Sequence, residues 1–271
     1  MSSEQLASAQ NILKGNLASA WDILSGAQGQ YPDLGIARKL EATNAYSLRD
    51  IGATSLGIDV IRVRRDNDNS EQDFSASEVS DGTLEAFVGS GNNGFVRTWY
   101  DQSGNSNNLV MGTTGDQPKI VSSGSLLADG IEFNSGYLSQ EANLPSPNTQ
   151  PVTIFMVAKM DAHPAQFGGY LSNSLSAGGV VFLTTSSSTS SMTADGFGTS
   201  ISDGVTVTAQ SYYSVLANEN NSEIRRNATR VAGVGAIGNG TLERIMLGDI
   251  ANLDFHLQGH ITELIFFQGD K

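Results

Sequence analysis

Three histidines, His163, His256 and His260, are the only imidazoles in the 271-residue chain. With no cysteine, the sequence offers no thiolate nucleophile, no disulfide and no cysteine-based zinc site. His256 and His260 stand four apart, but Leu257, Gly259 and Ile261 around them carry the two-residue period of a strand. That pattern predicts an exposed loop histidine and a solvent-face strand histidine rather than a pair of metal ligands. No Gly-x-Ser-x-Gly elbow, His-Glu-x-x-His pair or phosphate loop occurs. The run Asp66-Asn-Asp-Asn-Ser-Glu-Gln-Asp73 has the look of a calcium loop, yet it lacks the glycine at the sixth place and the acidic twelfth ligand. Arg62, Arg64 and Arg65 lie beside Asp66, Asp68, Glu71 and Asp73, so local ion pairing accounts for most of this charge. Neither a metal nor a cofactor is expected.

The remaining carboxylates are scattered. Twenty-eight acidic against fifteen basic side chains give a formal charge of −13, which argues against nucleic acid or an anionic membrane as the main partner, because both need clustered Lys and Arg. No apolar run approaches 18 residues and no Lys/Arg-flanked leader precedes one, so a soluble chain without a secretory signal is expected.

The elements that must position these groups are mostly strands. Thirty glycines, abundant Ser, Thr and Asn, and short β-rich runs separated by turn residues favour one all-β domain over residues 31–271, within the range that sandwiches of about 200–250 residues occupy. Val152-Thr-Ile-Phe-Met-Val-Ala158 is the most apolar run and is expected at the middle of a sheet. Asn218-Glu-Asn-Asn221 reads as the turn of a hairpin from Tyr212–Ala217 into Ile224–Arg230, and Gln258–Phe267 reads as the closing strand. Residues 1–30 differ: Leu6, Leu13, Leu17, Trp21 and Leu24 recur at helical spacing, which predicts an amphipathic helix that either packs on its own sandwich or serves assembly and docking.

Alternation through Phe95, Val96, Trp99 and Tyr100 collapses into Asp101-Gln-Ser-Gly-Asn-Ser-Asn-Asn108. Trp99 and Tyr100 can bury large areas, Asp101 can accept amide protons of the turn, and Gly104 and Asn105 tolerate positive φ. Trp-Tyr-Asp-Gln-Ser-Gly-Asn, from Trp99 through Gln102, Ser103 and Gly104 to Asn105, resembles the Tyr-Asp-Gln-Ser-Gly-Asn-Gly-Asn signature of the arabinofuranosidase B catalytic domain. Relatives of the same pattern are common in bacteriophage virion proteins, and Ala45–Arg49 with Ile61–Asp73, and Leu84–Gly89, agree with them. The resemblance covers roughly residues 35 to 270. It implies an antiparallel two-sheet jelly-roll sandwich of the concanavalin A-like kind, although the absence of cysteine departs from a domain that carries disulfides.

In the resembled glycosidase two carboxylates do the work. The first position falls near Ala194-Asp195-Gly-Phe197, where the nucleophilic glutamate is replaced by Phe197, and the second falls near Gly248-Asp249 or Asn252. This implies no catalysis. The preferred expectation is a bacteriophage virion structural protein, assembled in the host cytoplasm among other virion proteins or as a homo-oligomer such as a trimer, displaying the sandwich toward host-surface glycans or serving as tail fibre or head decoration. A free carbohydrate-binding module and an arabinofuranosidase-like glycosidase are the alternatives. Asp195, Phe197, Phe167, Asp249, Asp254 and His256 are the candidate sugar-binding residues, because aromatic rings, amides and carboxylates on concave faces and end loops are what such sandwiches use.

Overall fold

A computed structural model describes residues 42–51, 58–161, 168–173, 180–184, 192–196, 200–202, 208–238, 241–250 and 256–269. The N-terminal segment with Leu6, Leu13, Leu17, Trp21 and Leu24 therefore lies outside the described residues.

The fold is an all-β sandwich built from antiparallel strands. One sheet is centred on β10 (Val152–Met160), which pairs on one side with β15 (Ser211–Ala217) and on the other with the last strand, β19 (Gly259–Gln268). Beyond β15 lie β16 (Ser222–Arg226) and β17 (Thr229–Gly235), while the far edge of β19 takes β1 (Ala42–Ser47) and β8 (Ile131–Glu132). The second sheet runs from β3 (Glu71–Ser75) through β2 (Asp59–Arg65), β4 (Gly94–Trp99), β5 (Leu109–Val110), β9 (Leu138–Ser139) and β18 (Ile245–Leu247). It continues through β11 (Gly168–Asn173), β12 (Val180–Thr184) and β13 (Met192–Gly196) to β14 (Ser200–Ser202). The short β6 (Lys119–Ser122), with its hairpin partner β7 (Ser125–Leu126), links β4 to β8 and joins the two sheets at one corner.

β10 holds the central place its composition demands. Val152, Ile154, Met156, Ala158 and Met160 alternate into the main core with Tyr213, Val215 and Ala217 opposite. β19 reads as a continuous apolar run for a different reason: Ile261, Leu264 and Phe266 enter the main core, whereas Ile265 and Phe267 join Ala42, Ala45 and Ile51 in a smaller cluster. A shift of register between Val157 and Ala158 re-phases the alternation, and a strand covered on both faces has no polar side. In the smaller cluster Phe155 stacks on Tyr212 with centroids 6.0 Å apart and meets Phe267 edge-on. The segment Ile224–Arg230, expected as one strand, instead reverses at Asn227 and Ala228, both in the left-handed region, and so divides into β16 and β17.

The signature turn is the clamp for β1. The Asp101 carboxylate accepts from the amides of Ala45, Ser103 and Asn107 and from the Ser103 hydroxyl, at 2.8–3.0 Å. Gln102 accepts from the Ile51 amide and donates to the carbonyls of Ser47 and Arg49. Trp99 is fully buried against Tyr46 of β1, whose hydroxyl donates to the Asn107 carbonyl. Positive φ falls at Gly104 and at Ser106, rather than at Asn105.

The arginine-rich hairpin pairs locally, as expected, with one exception. Arg62 grips Asp73 through two nitrogens at 2.6–2.7 Å, and Arg65 grips Asp68 in the same way. Asp66 is taken by the amide and side chain of Asn93. Arg64, 6% exposed, uses neutral acceptors, Gln117, Asn69 and the Thr114 carbonyl, and lies over the Phe95 ring. Two short helices, α1 (Ala76–Ser80) and α2 (Thr83–Val88), follow β3, the first opened by a Ser75–Glu78 capping box.

These contacts set an acid limit on stability. The Asn93 amide holds Asp66 below the usual carboxylate range, Arg65 does so for Asp68, Arg62 for Asp73, the Ser75 amide for Glu78 and the Thr83 hydroxyl for Asp81. A depressed folded pKa contributes stability that is present above about pH 4 and is lost as pH falls through the folded values. Asp59, raised by burial and by Asp73, opposes this: its contribution is present at low pH and is lost above its raised pKa. The five outweigh the one, so the melting temperature should fall steadily from pH 5 to pH 2. Calorimetry across that range checks it, and Arg62→Met should flatten the curve; an equal slope in that variant would assign the acid sensitivity elsewhere.

Candidate functional site around Asp249 and His256

Asp249 follows the end of β18, where Gly248 turns the chain at φ +87°. A Cβ at Gly248 would stand 2.3 Å from the Phe133 ring and 2.8 Å from the Gly136 carbonyl, so a side chain is excluded by space as well as by backbone. The Gly248 amide donates to the Tyr170 carbonyl, and the Leu257 amide donates to the Gly248 carbonyl. From across the sheet, the Ser172 hydroxyl on β11 donates to the Asp249 carbonyl at 3.0 Å. Gly169, also on β11, completes the enclosure: a Cβ there would come within 2.5 Å of Ile250 Cγ1 and 2.9 Å of the Asp249 carbonyl.

The outcome is a carboxylate 3% exposed, whose Oδ1 accepts from the Ile250 amide at 2.6 Å. His256 Nδ1 stands 3.9 Å from Oδ2, with the imidazole side chain 31% exposed. Nδ1 itself is buried and has no hydrogen-bond partner among the described residues. The expected exposed loop histidine is thus half-buried against a carboxylate. His260, expected on a solvent face, is 7% exposed: Nε2 lies 2.8 Å from Asp161 Oδ2, Nδ1 stands 3.5 Å from the Gly130 carbonyl, and its strand is flanked in the sheet by β10 and β8.

Asp195 is on β13, paired with Val181 of β12 and Ser200 of β14. Its neighbour Ala194 begins a register row that runs through Phe182 and Leu171 to Leu247, two residues before Asp249. Three strand spacings, roughly 14 Å, therefore separate the backbones at the two ends of that row. Phe167, Phe197, Asp254 and Asn252 lie outside the described residues, as does His163. Sequence reasoning passed over Gly169 and Ser172; the Gly168-Gly169 pair opening a β-rich run was the readable signal for close backbone approach.

Gly169→Ala should shift Asp249 or open the sheet beside it. We expect a loss of about 2–3 kcal/mol, in the range of overpacked interiors, read from urea unfolding; an unchanged midpoint would mean that β11 gives way freely.

No protein-family model matches the chain, and no curated protein matches it. Solved structures do. An arabinofuranosidase complexed with arabinofuranosyl-α-1,2-xylobiose matches at TM-score 0.64 and 14% identity, covering 84% of this chain and 59% of that one. A glutamate-to-glutamine variant of a GH54 α-L-arabinofuranosidase soaked with 4-nitrophenyl α-L-arabinofuranoside matches at 0.67 and 12%, covering 86% and 61%. A GH54 α-L-arabinofuranosidase soaked with a cyclic sulfate inhibitor matches at 0.63 and 13%, covering 86% and 61%. The chain shares the β-sandwich fold of these arabinofuranosidases. The chain spans about three fifths of the length of these proteins. The expectation that the chain is not an enzyme is corrected by these matches: it took the sandwich for a display scaffold, whereas the structures that share the fold are those of glycoside hydrolases. Phe197 at the expected nucleophile position excludes a glutamate there, but it leaves other carboxylates in the same sheet.

Proposed function

We propose that this chain is a carbohydrate-directed β-sandwich of the glycoside hydrolase kind, taking an arabinofuranoside at the site around Asp249 and His256. The observation that carries the reading is the placement of Asp249. Its carboxylate sits on a Gly-Asp turn before the last strand, where the resembled pattern places a catalytic acid, and it is 3% exposed with one oxygen tied to a backbone amide. A carboxyl group held in one orientation can deliver its proton to a departing glycosidic oxygen as the bond to the anomeric carbon breaks. A second carboxylate must then meet the anomeric carbon or activate water. Asp195, on the same sheet, is the group that the resemblance assigns nearest that role. The scattered acidic residues and the formal charge of −13 agree with a neutral rather than an anionic substrate.

The test uses the full chain with 4-nitrophenyl α-L-arabinofuranoside, following release of 4-nitrophenolate. Saturable turnover is expected. Folded protein that releases no more than a buffer blank, at any pH from 4 to 8, would end the hydrolase reading.

A further inference from the structure

The pairing of Asp249 with His256 says more about this site than the carboxylate alone, and the following rests on the reading of that site as sugar-directed. His256 Nδ1 is sealed from solvent and makes no hydrogen bond, while the ring as a whole is 31% exposed. Among the described residues no hydrogen bond occupies Nε2, and with the side chain 31% exposed the edge away from Nδ1 is the one that faces outward. Among the described residues, Asp249 is the acidic group within ion-pair distance of the ring.

With Asp249 ionised, as it is once its proton has gone to the leaving group, a buried ring nitrogen that faced the carboxylate oxygen as a bare acceptor would set two lone pairs against each other in a desolvated place. Carrying the proton on Nδ1 removes that conflict and turns a donor toward Oδ2, 3.9 Å away. The tautomer follows, and with it the chemistry of the exposed edge.

We propose that Asp249, in its ionised form, holds His256 as the Nδ1–H tautomer, so that Nε2 is presented as a hydrogen-bond acceptor for a hydroxyl of the bound sugar. Asp249 is then a positioning residue for His256 as well as a carboxylate of the site, and His256 sets specificity by requiring a hydroxyl donor at that place. A ligand in which this hydroxyl is replaced by hydrogen leaves Nε2 without its partner.

Nitrogen NMR of the full chain with labelled histidine reads the tautomer without any turnover. In the wild type at neutral pH, His256 should show a pyrrole-like Nδ1 and a pyridine-like Nε2, and Asp249→Ala should convert it to the Nε2–H form that free imidazoles favour. Adding 4-nitrophenyl α-L-arabinofuranoside should move the Nε2 resonance in the wild type, and His256→Leu should lower kcat/KM about tenfold, the loss of one net hydrogen bond. A His256 tautomer that is Nε2–H in the wild type, or that ignores Asp249→Ala, overturns the pairing whatever the enzyme does. Turnover that depends on Asp249 with an unmoved Nε2 resonance overturns the acceptor role. An absence of turnover with the Asp249-dependent tautomer intact counts against the arabinofuranoside reading and leaves the pairing supported.

Discussion

Asp101→Ala should lower the unfolding free energy by about 4 kcal/mol, more than any other single change at the surface of the sandwich. The carboxylate receives four hydrogen bonds, three of them from backbone amides that would otherwise be desolvated without partners. Hydrogen bonds to a charged group contribute roughly 1.5–3 kcal/mol each, and they are not additive within one network. The total is therefore set below their sum. One of the four donors, Ala45, belongs to β1, and β1 is an edge strand whose ladder neighbour is β19. Loss of the clamp should free the Ala42–Ile51 stretch before the rest of the molecule. Hydrogen exchange at Ala45 and Ile51 should accelerate by far more than exchange in β10, and denaturant unfolding gives the global figure. If the variant unfolds within about 1 kcal/mol of the wild type, the Gln102 contacts and the Trp99–Tyr46 packing hold β1 without it.

This clamp was legible because its physics is local. Asp101, Ser103 and Gly104 lie within four residues, and a carboxylate followed by small turn residues has few other uses. What sequence could not give was the far partner: the amide of Ala45, 56 residues away, has no composition of its own. The apolar run of β10 was equally readable, since its length and alternation admit one place in a sandwich. His260 was misread for a reason that applies to the whole of β19. Period-two alternation places a residue on one side of a strand, but it does not say whether that side is covered, and here the Asp161 carboxylate at Nε2 and the Gly130 carbonyl near Nδ1 enclose the ring. At the site, Asp249 could be found through the resemblance, and His256 through its type. The enclosure by Gly169 and Ser172 depends on β11 pairing with β18, a contact between segments more than 70 residues apart. Judging the chain inactive followed from one missing glutamate, although the signature had already indicated the fold that positions the other carboxylates.

Asp249→Asn should reduce turnover of an alkyl arabinofuranoside by about 10²–10⁴-fold, the contribution of a positioned general acid or base. The substitution is chosen to leave structure intact. An amide oxygen can still accept from the Ile250 amide, and the volume is nearly unchanged, so the turn between Gly248 and Ile250 should persist. What disappears is the proton that the carboxyl group can give to a poor leaving group. The size of the effect should therefore depend on the leaving group: large for an alkyl arabinofuranoside, smaller for the 4-nitrophenyl compound, whose phenolate departs without much help. Asp195→Asn should depress both substrates alike, because a group acting at the anomeric carbon is needed whatever leaves. A rate unaffected by either change would mean that the turnover belongs to another protein in the preparation. If instead Asp249→Asn lost activity equally on both substrates, together with cooperative unfolding at lower urea, the residue would be holding the turn rather than moving a proton, and the assignment of Asp249 as acid would fall.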